Sequence, residues 1–506
     1  MIVLAHAFGA RYELPIPLVA FVVGGAVVVL VSFALVFNRA VGPDESPTAD
    51  RPDGAYLRGL QPALGTAATL VLAFLCYCGF VGAQDVPENI LPTAFWVYAW
   101  VAVPISVALI GDWSQPLNPF AFLAKLADAP AARRALLGSE EPVSWPEWLG
   151  WWPAAAVFAF AVCTELIFNL TFTLPHVIAT MLSVYAAVSL LGGVLFGRVW
   201  LERGEMWTVL LDTWGRVGFF RFGAPGRRGF LGGFDRPFST APSRVVFVLL
   251  MLVNVNYDGV LSTPQWQNDI ERNLPGNWWQ PGAHLETFRT LALFAAVVVL
   301  LVGFGLFSRA TARLGRHGTG LVASLAELLP SVVPIALGYL IAHYLQYLLV
   351  NGQLMAPLIG NPTGLDSWPL HLPYPFNDDY DPSHTFLPSS FYWYVAVAVI
   401  VAVHVAAVVV AHRHLATRAP DEASARRSEF PWLAAMVGYT MLSLWLLAQP
   451  FTQTTAQTSG SAAPPAPTSV APAPSAAHDP EVSSRSYADA VAVSWLRRAG
   501  PGHGDA

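Results

Sequence analysis

The chain has 506 residues, of which 55% are apolar and only 12% are charged. This composition excludes a soluble multidomain protein and an intrinsically disordered one. The net charge of −6 is modest, and the arginines form no basic domain, so nucleic acid is not an expected partner.

Ten apolar segments have the length of membrane-spanning helices, because a hydrocarbon core of ~30 Å requires roughly 20 residues per helix. Two further stretches, 118–127 and 205–220, are amphipathic and too polar to span, which predicts helices lying in the cytoplasmic interface of the membrane. The ten apolar segments lie near residues 16–37, 63–82, 93–110, 151–172, 177–197, 244–260, 289–307, 328–350, 391–411 and 432–449.

The basic residues predict the orientation of these spans. Of the 27 Lys and Arg residues, 21 lie in every second gap between the apolar segments. Basic loops are retained on the cytoplasmic side during insertion. The sequence therefore predicts an all-α, polytopic protein of the cytoplasmic membrane, with ten transmembrane helices and with both termini outside. The lipid bilayer is its expected partner, and the oligomeric state is not determined by the sequence.

This topology divides the chain into three parts. Residues 1–15 are expected to form an extracytoplasmic N-terminus, and residues 16–450 the ten-span domain. The outer loop 351–390 is rich in aspartate, proline and aromatic residues, and we expect it to cover the outer face as a lid. Residues 451–506 are rich in Pro, Ala, Ser and Thr, which predicts a disordered extracytoplasmic tail.

Four ionisable residues fall at a similar depth in the outer half of the predicted membrane domain. A charge in the bilayer core costs at least ~2.5–3.5 kcal/mol, so each is expected to have a partner. One interpretation is a shared outward-facing site whose nitrogen and oxygen ligands hold zinc, copper or iron. The alternative is a set of separate helix–helix hydrogen bonds. The four residues are Glu165, His176, Asp258 and His343; Glu165 and Asp258 are also the candidate catalytic groups.

A second, smaller set lies in the inner half. Glu327 begins the eighth span and His404 lies in the ninth, and with the outer set they would mark a path across the membrane. His343 and His404 do not form a haem pair, because their spans place them roughly 9 Å apart in depth at 1.5 Å per residue. His412 is expected to be solvated at the inner surface.

Three stretches carry a resemblance to a known family. They are AHAFGARYELPIP at 5–17, NYDGVLSTPQW at 256–266 and VPIALGYLIAHYLQYLLVNGQ at 333–353. The chain resembles, over spans one to nine, a family of polytopic membrane proteins known as fenitrothion hydrolases. The resemblance implies a membrane-bound activity on organophosphate triesters that yields a phenol and a dialkyl (thio)phosphate. It carries over no catalytic residue.

Members of that family carry a signal peptide ending before a His-Gly pair that corresponds to His6 and Ala7. By this comparison the sequence is expected to lack the leader, or to start late through start-site choice, and Ala7 replaces the glycine. If His6 became the N-terminal residue outside the membrane, its amine and imidazole would be a candidate copper site.

Three functions remain open from the sequence. The first is a metal-assisted hydrolase, in which a metal held by the outer site polarises the phosphoryl oxygen of a small-molecule substrate. The second is a transporter or permease for a small solute or metal ion. The third is a non-catalytic membrane assembly subunit.

Overall fold

The computed structural model describes residues 17–37, 55–220, 229–235, 238–383, 387–416 and 420–460. One compact unit of the chain is Ala7–Thr455. This unit contains every site described below. The predicted N-terminal segment 1–15, which includes His6, and residues 461–506 of the predicted tail lie outside the described residues.

The structure is all-helical. Nine helical segments among the described residues are long and apolar enough to cross a membrane. The first predicted span is also an apolar helix, but its fully described part, Leu18–Ala34, is shorter. The predicted class, an all-α multi-pass membrane protein, is therefore confirmed. The helices are α1 Leu18–Phe37, α2 Ala55–Val81, α3 Ile90–Ile110, α4 Pro119–Ala127, α5 Pro130–Leu137, α6 Trp152–Leu166, α7 Pro175–Phe196, α8 Met206–Gly215, α9 Pro242–Leu261, α10 Ala283–Leu314, α11 Leu321–Asn351, α12 Ser389–Ala416 and α13 Glu422–Gly460.

Consecutive long helices run in alternating directions, so their ends gather on two sides. One side carries Arg198 after α7, Arg244 at the start of α9, Arg313 at the end of α10 and Arg413 near the end of α12. We refer to it as the arginine-rich side, and to the opposite side as the arginine-poor side. The loop between α11 and α12 lies on the arginine-poor side.

Helix α11 is central to the bundle. In the segment Leu321–Gly360, 78% of the most apolar window is buried, compared with 22% in α10. Helix α11 packs against α9, α10 and α12. Its contact with α12 is close because Gly338 has no side chain, and a Cβ atom there would collide with Val403. Two of the polar pairs described below, His343–Asp258 and His317–Glu327, have one partner on α11.

Both amphipathic stretches form helices, α4 and α8, and α8 is packed against other parts of the protein. Most of α8 is buried, including Trp207 and Trp214, against α6 and the C-terminal part of α3. The prediction of an interfacial helix is corrected for α8, because its apolar face packs on protein. The amphipathic pattern alone does not distinguish a protein surface from a lipid surface.

The N-termini of α4 and α8 meet at one buried carboxylate. Glu205, with no exposed surface, accepts hydrogen bonds from the backbone N–H groups of Trp207 and Thr208 at 3.1 and 2.7 Å. The Tyr185 hydroxyl donates to it at 2.6 Å and the Asn118 amide at 2.9 Å. Asn118 in turn caps α4. A negative charge at two helix N-termini is favourable electrostatically, so Glu205 has a structural role.

Candidate functional site

His343 and Asp258 form a buried pair in the arginine-poor half of the bundle. Nε2 of His343 lies 2.7 Å from Oδ2 of Asp258, and each side chain is 15% exposed. The pair joins α11 to α9, which pack against each other. The distance is that of a charge-assisted hydrogen bond between an imidazole and a carboxylate.

Glu165 lies beside this pair at the end of α6. Its Oε1 atom accepts a hydrogen bond from the hydroxyl of Tyr344. Oε2 is buried without a hydrogen bond of normal geometry among the described residues, although the Trp100 indole interacts with this carboxylate. The Tyr344 ring contacts the ring of His343 edge-on, with 4.6 Å between centroids, and Asp258 and His343 both act electrostatically on Glu165. Two carboxylates, one imidazole and one phenol therefore form a single polar network.

Two of the predicted site residues do not belong to this network. His176 begins α7, and its Nδ1 lies 2.8 Å from the side-chain oxygen of Gln84. Its backbone N–H donates to the same oxygen at 3.1 Å. His6 lies outside the described residues. In the part of the chain that the structure describes, no three His, Cys, Asp or Glu side chains are grouped as metal ligands.

A small cavity adjoins His343 between α9, α11, α12 and α13. Its volume is about 40 Å³, which is sufficient for at least one water molecule, since water needs roughly 10–15 Å³. The hydroxyl groups of Tyr339 and Tyr439 are buried without a hydrogen-bond partner among the described residues, and their rings lie 6.2 Å apart. The cavity is lined by Val255, Asn256, Gly259, Ser262, Tyr339, Ala342, His343, Ile400, Leu446 and Leu447.

The arginine-rich half contains two further histidine–carboxylate pairs. Nδ1 of His412 on α12 lies 2.9 Å from Oε1 of Glu429 on α13, with 9% and 4% of the side chains exposed. His317, after α10, lies 4.0 Å from Glu327 on α11, with 2% and 12% exposed. The prediction that His412 is solvated is therefore wrong, because the start of α13 covers it and supplies its carboxylate.

Between the two polar regions lies His404 on α12, which is fully buried. Its Nδ1 atom lies 2.8 Å from the carbonyl of Ile400, within the same helix. His404 and His412 are separated by about 12 Å along α12, at 1.5 Å per residue. The intervening Ala407, Val408 and Val410 are buried and apolar. Along α12, the polar regions at the two ends of the bundle are therefore separated by an apolar layer.

Several residues of these networks could not be identified from the sequence. Tyr344 lies one position away from the stripe formed by Tyr339 and His343, and its hydroxyl donates to Glu165 at the end of α6. His317 and Glu429 lie at helix ends among arginines, where a solvated residue is the usual expectation. Their positions gave no signal of burial.

Comparison of the chain with protein-family models, with curated proteins and with solved structures finds no match. The functional interpretation therefore depends on the chemistry of the side chains.

Proposed function

We propose that the chain is a ten-span protein of the cytoplasmic membrane that couples proton movement to the transport of a small solute. In this proposal the arginine-rich side faces the cytoplasm and both termini lie outside. The distribution of the basic residues supports that orientation. Helix α1 would be the first of the ten spans.

The observation that carries the proposal is the buried His343–Asp258 pair, with N and O atoms 2.7 Å apart, next to Glu165. Ionisable groups inside a membrane bundle are costly and usually mark proton relays or ion pathways. Histidine is suited to proton exchange because its ordinary pKa lies near neutrality. The pairs of His412 with Glu429 and of His317 with Glu327 place the same chemistry at the other end of the bundle.

A proton from outside would bind first at Glu165 or Asp258. His343 would then carry it, since an imidazole beside a carboxylate accepts a proton without leaving an uncompensated charge. Water in the adjoining cavity, together with the hydroxyls of Tyr339 and Tyr439, would extend the path towards the middle of the bundle. The apolar layer between His404 and His412 closes that path, as an alternating-access transporter requires in one of its states.

The cavity volume favours proton transfer over ester hydrolysis at this site. Pockets that bind organic ligands typically measure ~300–1,000 Å³, whereas the cavity beside His343 measures about 40 Å³. A phosphate triester does not fit there, while water and protons do. Hydrolysis of organophosphate triesters, implied by the family resemblance, is therefore the second candidate and requires a larger opening near Glu165.

A pH jump applied to proteoliposomes on a solid-supported membrane tests the proposal. We expect a transient proton current from the wild-type protein and loss of most of that current in Asp258→Asn. The matched control is Asp269→Asn, because Asp269 is an exposed carboxylate shortly after α9 on the same side. A wild-type current in Asp258→Asn would overturn the proposal. A screen of small solutes on the same membrane would then identify the coupled substrate.

A further inference from the structure

A second, much larger cavity opens on the arginine-rich side and shares no residue with the His343 network. Its volume is about 660 Å³, within the range of ~300–1,000 Å³ for small-molecule pockets. Four basic and four acidic side chains line it, so its formal charge is balanced. They are Lys125, Arg198, Arg216 and Arg244, and Asp112, Asp128, Glu202 and Asp212.

Arg244 is the buried cation of this cavity. Only 4% of the residue is exposed, and its guanidinium donates a hydrogen bond to the hydroxyl of Thr213 at 2.7 Å. The guanidinium also lies over the rings of Phe238 and Phe247, 5.1 and 5.5 Å from their centroids. Among the described residues it forms no ion pair with a carboxylate within 4.0 Å, and Asp212, which pairs with Arg216, acts on it electrostatically from farther away. A guanidinium has five N–H donors, so several remain for a ligand.

Asp112 is the corresponding anion. Its carboxylate accepts hydrogen bonds from the Ser114 hydroxyl at 2.8 Å and from the Gln115 amide at 2.9 Å. Throughout the described part of the chain it has no basic partner in an ion pair. Two other charged pairs in the cavity are already formed, Arg198 with Glu202 at 2.9 Å and Arg216 with Asp212 at 3.5 Å. Asp128 is paired with Arg133, which lies outside the cavity. Among the described residues that line the cavity, the charged groups without an ion pair within 4.0 Å are therefore Asp112, Arg244 and Lys125.

We propose that this cavity binds a zwitterion, with its primary ammonium at Asp112 and its phosphate or carboxylate at Arg244. A lining that offers both the Asp112 carboxylate and the Arg244 guanidinium favours neither a simple anion nor a simple cation, because each would leave one of these two groups without a counter-charge. Arginine is well suited to the anionic end, since its planar fork binds two oxygens at once. The same chemistry occurs in a free amino-phosphate and in the headgroup of an ethanolamine phospholipid.

Calorimetric titration of the full chain in detergent tests the proposal with O-phosphoethanolamine as the probe. Inorganic phosphate and ethanolamine, which each carry one of its charges, are the comparison ligands. We expect each to bind at least about tenfold more weakly than the zwitterion. Asp112→Asn should weaken binding of O-phosphoethanolamine about tenfold and leave phosphate binding unchanged. The control variants are Glu141→Gln and Arg313→Gln, because both residues are exposed on the same side and lie outside the cavity.

Arg244→Gln should weaken binding of both phosphate and O-phosphoethanolamine. If that variant does not fold, Arg244→Lys keeps the charge but loses bidentate binding, and should give the same trend. Equal affinity for phosphate and O-phosphoethanolamine, or an Asp112→Asn variant with wild-type affinity, would overturn the proposal.

Nanodiscs distinguish the two sources of the ligand. Native mass spectrometry of protein released from discs of mixed ethanolamine and choline phospholipids should show selective retention of the ethanolamine lipid if the ligand is a headgroup. The choline headgroup cannot donate a hydrogen bond to Asp112, so it is a matched comparison. Binding of soluble O-phosphoethanolamine without lipid selectivity would support a free solute. If the protein neither binds O-phosphoethanolamine nor retains the ethanolamine lipid selectively, the zwitterion site is contradicted.

Discussion

His343 and Asp258 are joined across two helices by a contact of 2.7 Å, and each side chain is only 15% exposed. A buried pair of this kind is retained at a desolvation cost, and removal of one partner leaves the other uncompensated. Hydrophobic residues of similar volume would pack α9 against α11 without that cost. The pair therefore lowers stability relative to an apolar contact, and the proton transfer proposed above would be the reason for its presence.

The two ends of the bundle should respond to different sides of the membrane. We expect Glu429→Gln to leave the initial charging current after an external pH jump intact, and to slow the discharge to the interior. Asp258→Asn should remove the initial current itself. The physical reason is the apolar layer that separates His404 from His412. Oriented proteoliposomes with separate external and internal pH jumps measure both steps. Loss of the initial current in Glu429→Gln would contradict this assignment.

Tyr344→Phe should destabilise the protein by about 1–3 kcal/mol, because it leaves the buried Glu165 carboxylate without its phenolic donor. The measurement is thermal unfolding in detergent, followed by tryptophan fluorescence. Tyr98→Phe is the matched control. Its hydroxyl donates to the carbonyl of Gly352 at 2.9 Å in an exposed position, so its loss leaves no buried carboxylate without a donor. Equal effects of the two substitutions would mean that Glu165 does not depend on Tyr344.

Asp112 should make stability fall as the pH rises. Burial raises the pKa of its carboxyl, and this effect exceeds the opposing hydrogen bonds from Ser114 and Gln115. Because the pKa of this carboxyl is higher in the folded state, its contribution to the free energy of unfolding is fully present below the unfolded-state pKa of ~3.9. The contribution is lost as the pH rises through the folded-state pKa. Asp112→Asn should therefore be more stable than the wild type at neutral pH, and the difference should vanish towards pH ~4.

Asp421 is the control of opposite sign. It precedes α13, and hydrogen bonds from the backbone N–H and hydroxyl of Ser424 lower the pKa of its carboxyl. The contribution of Asp421 to the free energy of unfolding is present above the unfolded-state pKa of ~3.9. It is lost as the pH falls through the lower folded-state pKa. Asp421→Asn should accordingly be less stable than the wild type at neutral pH. Thermal unfolding between pH 4 and 8 compares both variants, and the same trend in each would contradict the assignments.

Glu205→Ala should be among the most destabilising single substitutions in the arginine-rich half. It would leave the backbone N–H groups at the start of α8, the Asn118 amide and the Tyr185 hydroxyl without their acceptor. Each buried unsatisfied group costs about 1–3 kcal/mol. Glu202→Ala removes an exposed ion pair with Arg198 and should cost at most ~1 kcal/mol. Unfolding by guanidinium or by heat measures the loss of stability in each of the two variants. A Glu205→Ala variant with wild-type stability would show that water replaces the carboxylate.

Much of the fold was accessible from the sequence, because each membrane span is a local run of apolar residues and the basic residues alternate between its ends. The same pattern grouped Glu165, Asp258 and His343 by depth, and these three side chains lie near one another in the structure. It also grouped His176 with them, whereas that histidine pairs with Gln84 in the structure. The sequence thus predicts how far along a helix a residue lies, but it does not predict which neighbouring helix the side chain faces.

The sequence by itself determined the class of protein, the position of each apolar helix and the chemical types that enter the membrane. Only the tertiary structure decided which of the polar side chains contact one another. Tyr344 reaches Glu165, and His412 reaches Glu429, through contacts between helices far apart in the chain. Successive helical residues differ by about 100° around the axis at 3.6 residues per turn. The face that each neighbouring helix covers is set by packing of the whole bundle, and no local pattern specifies it.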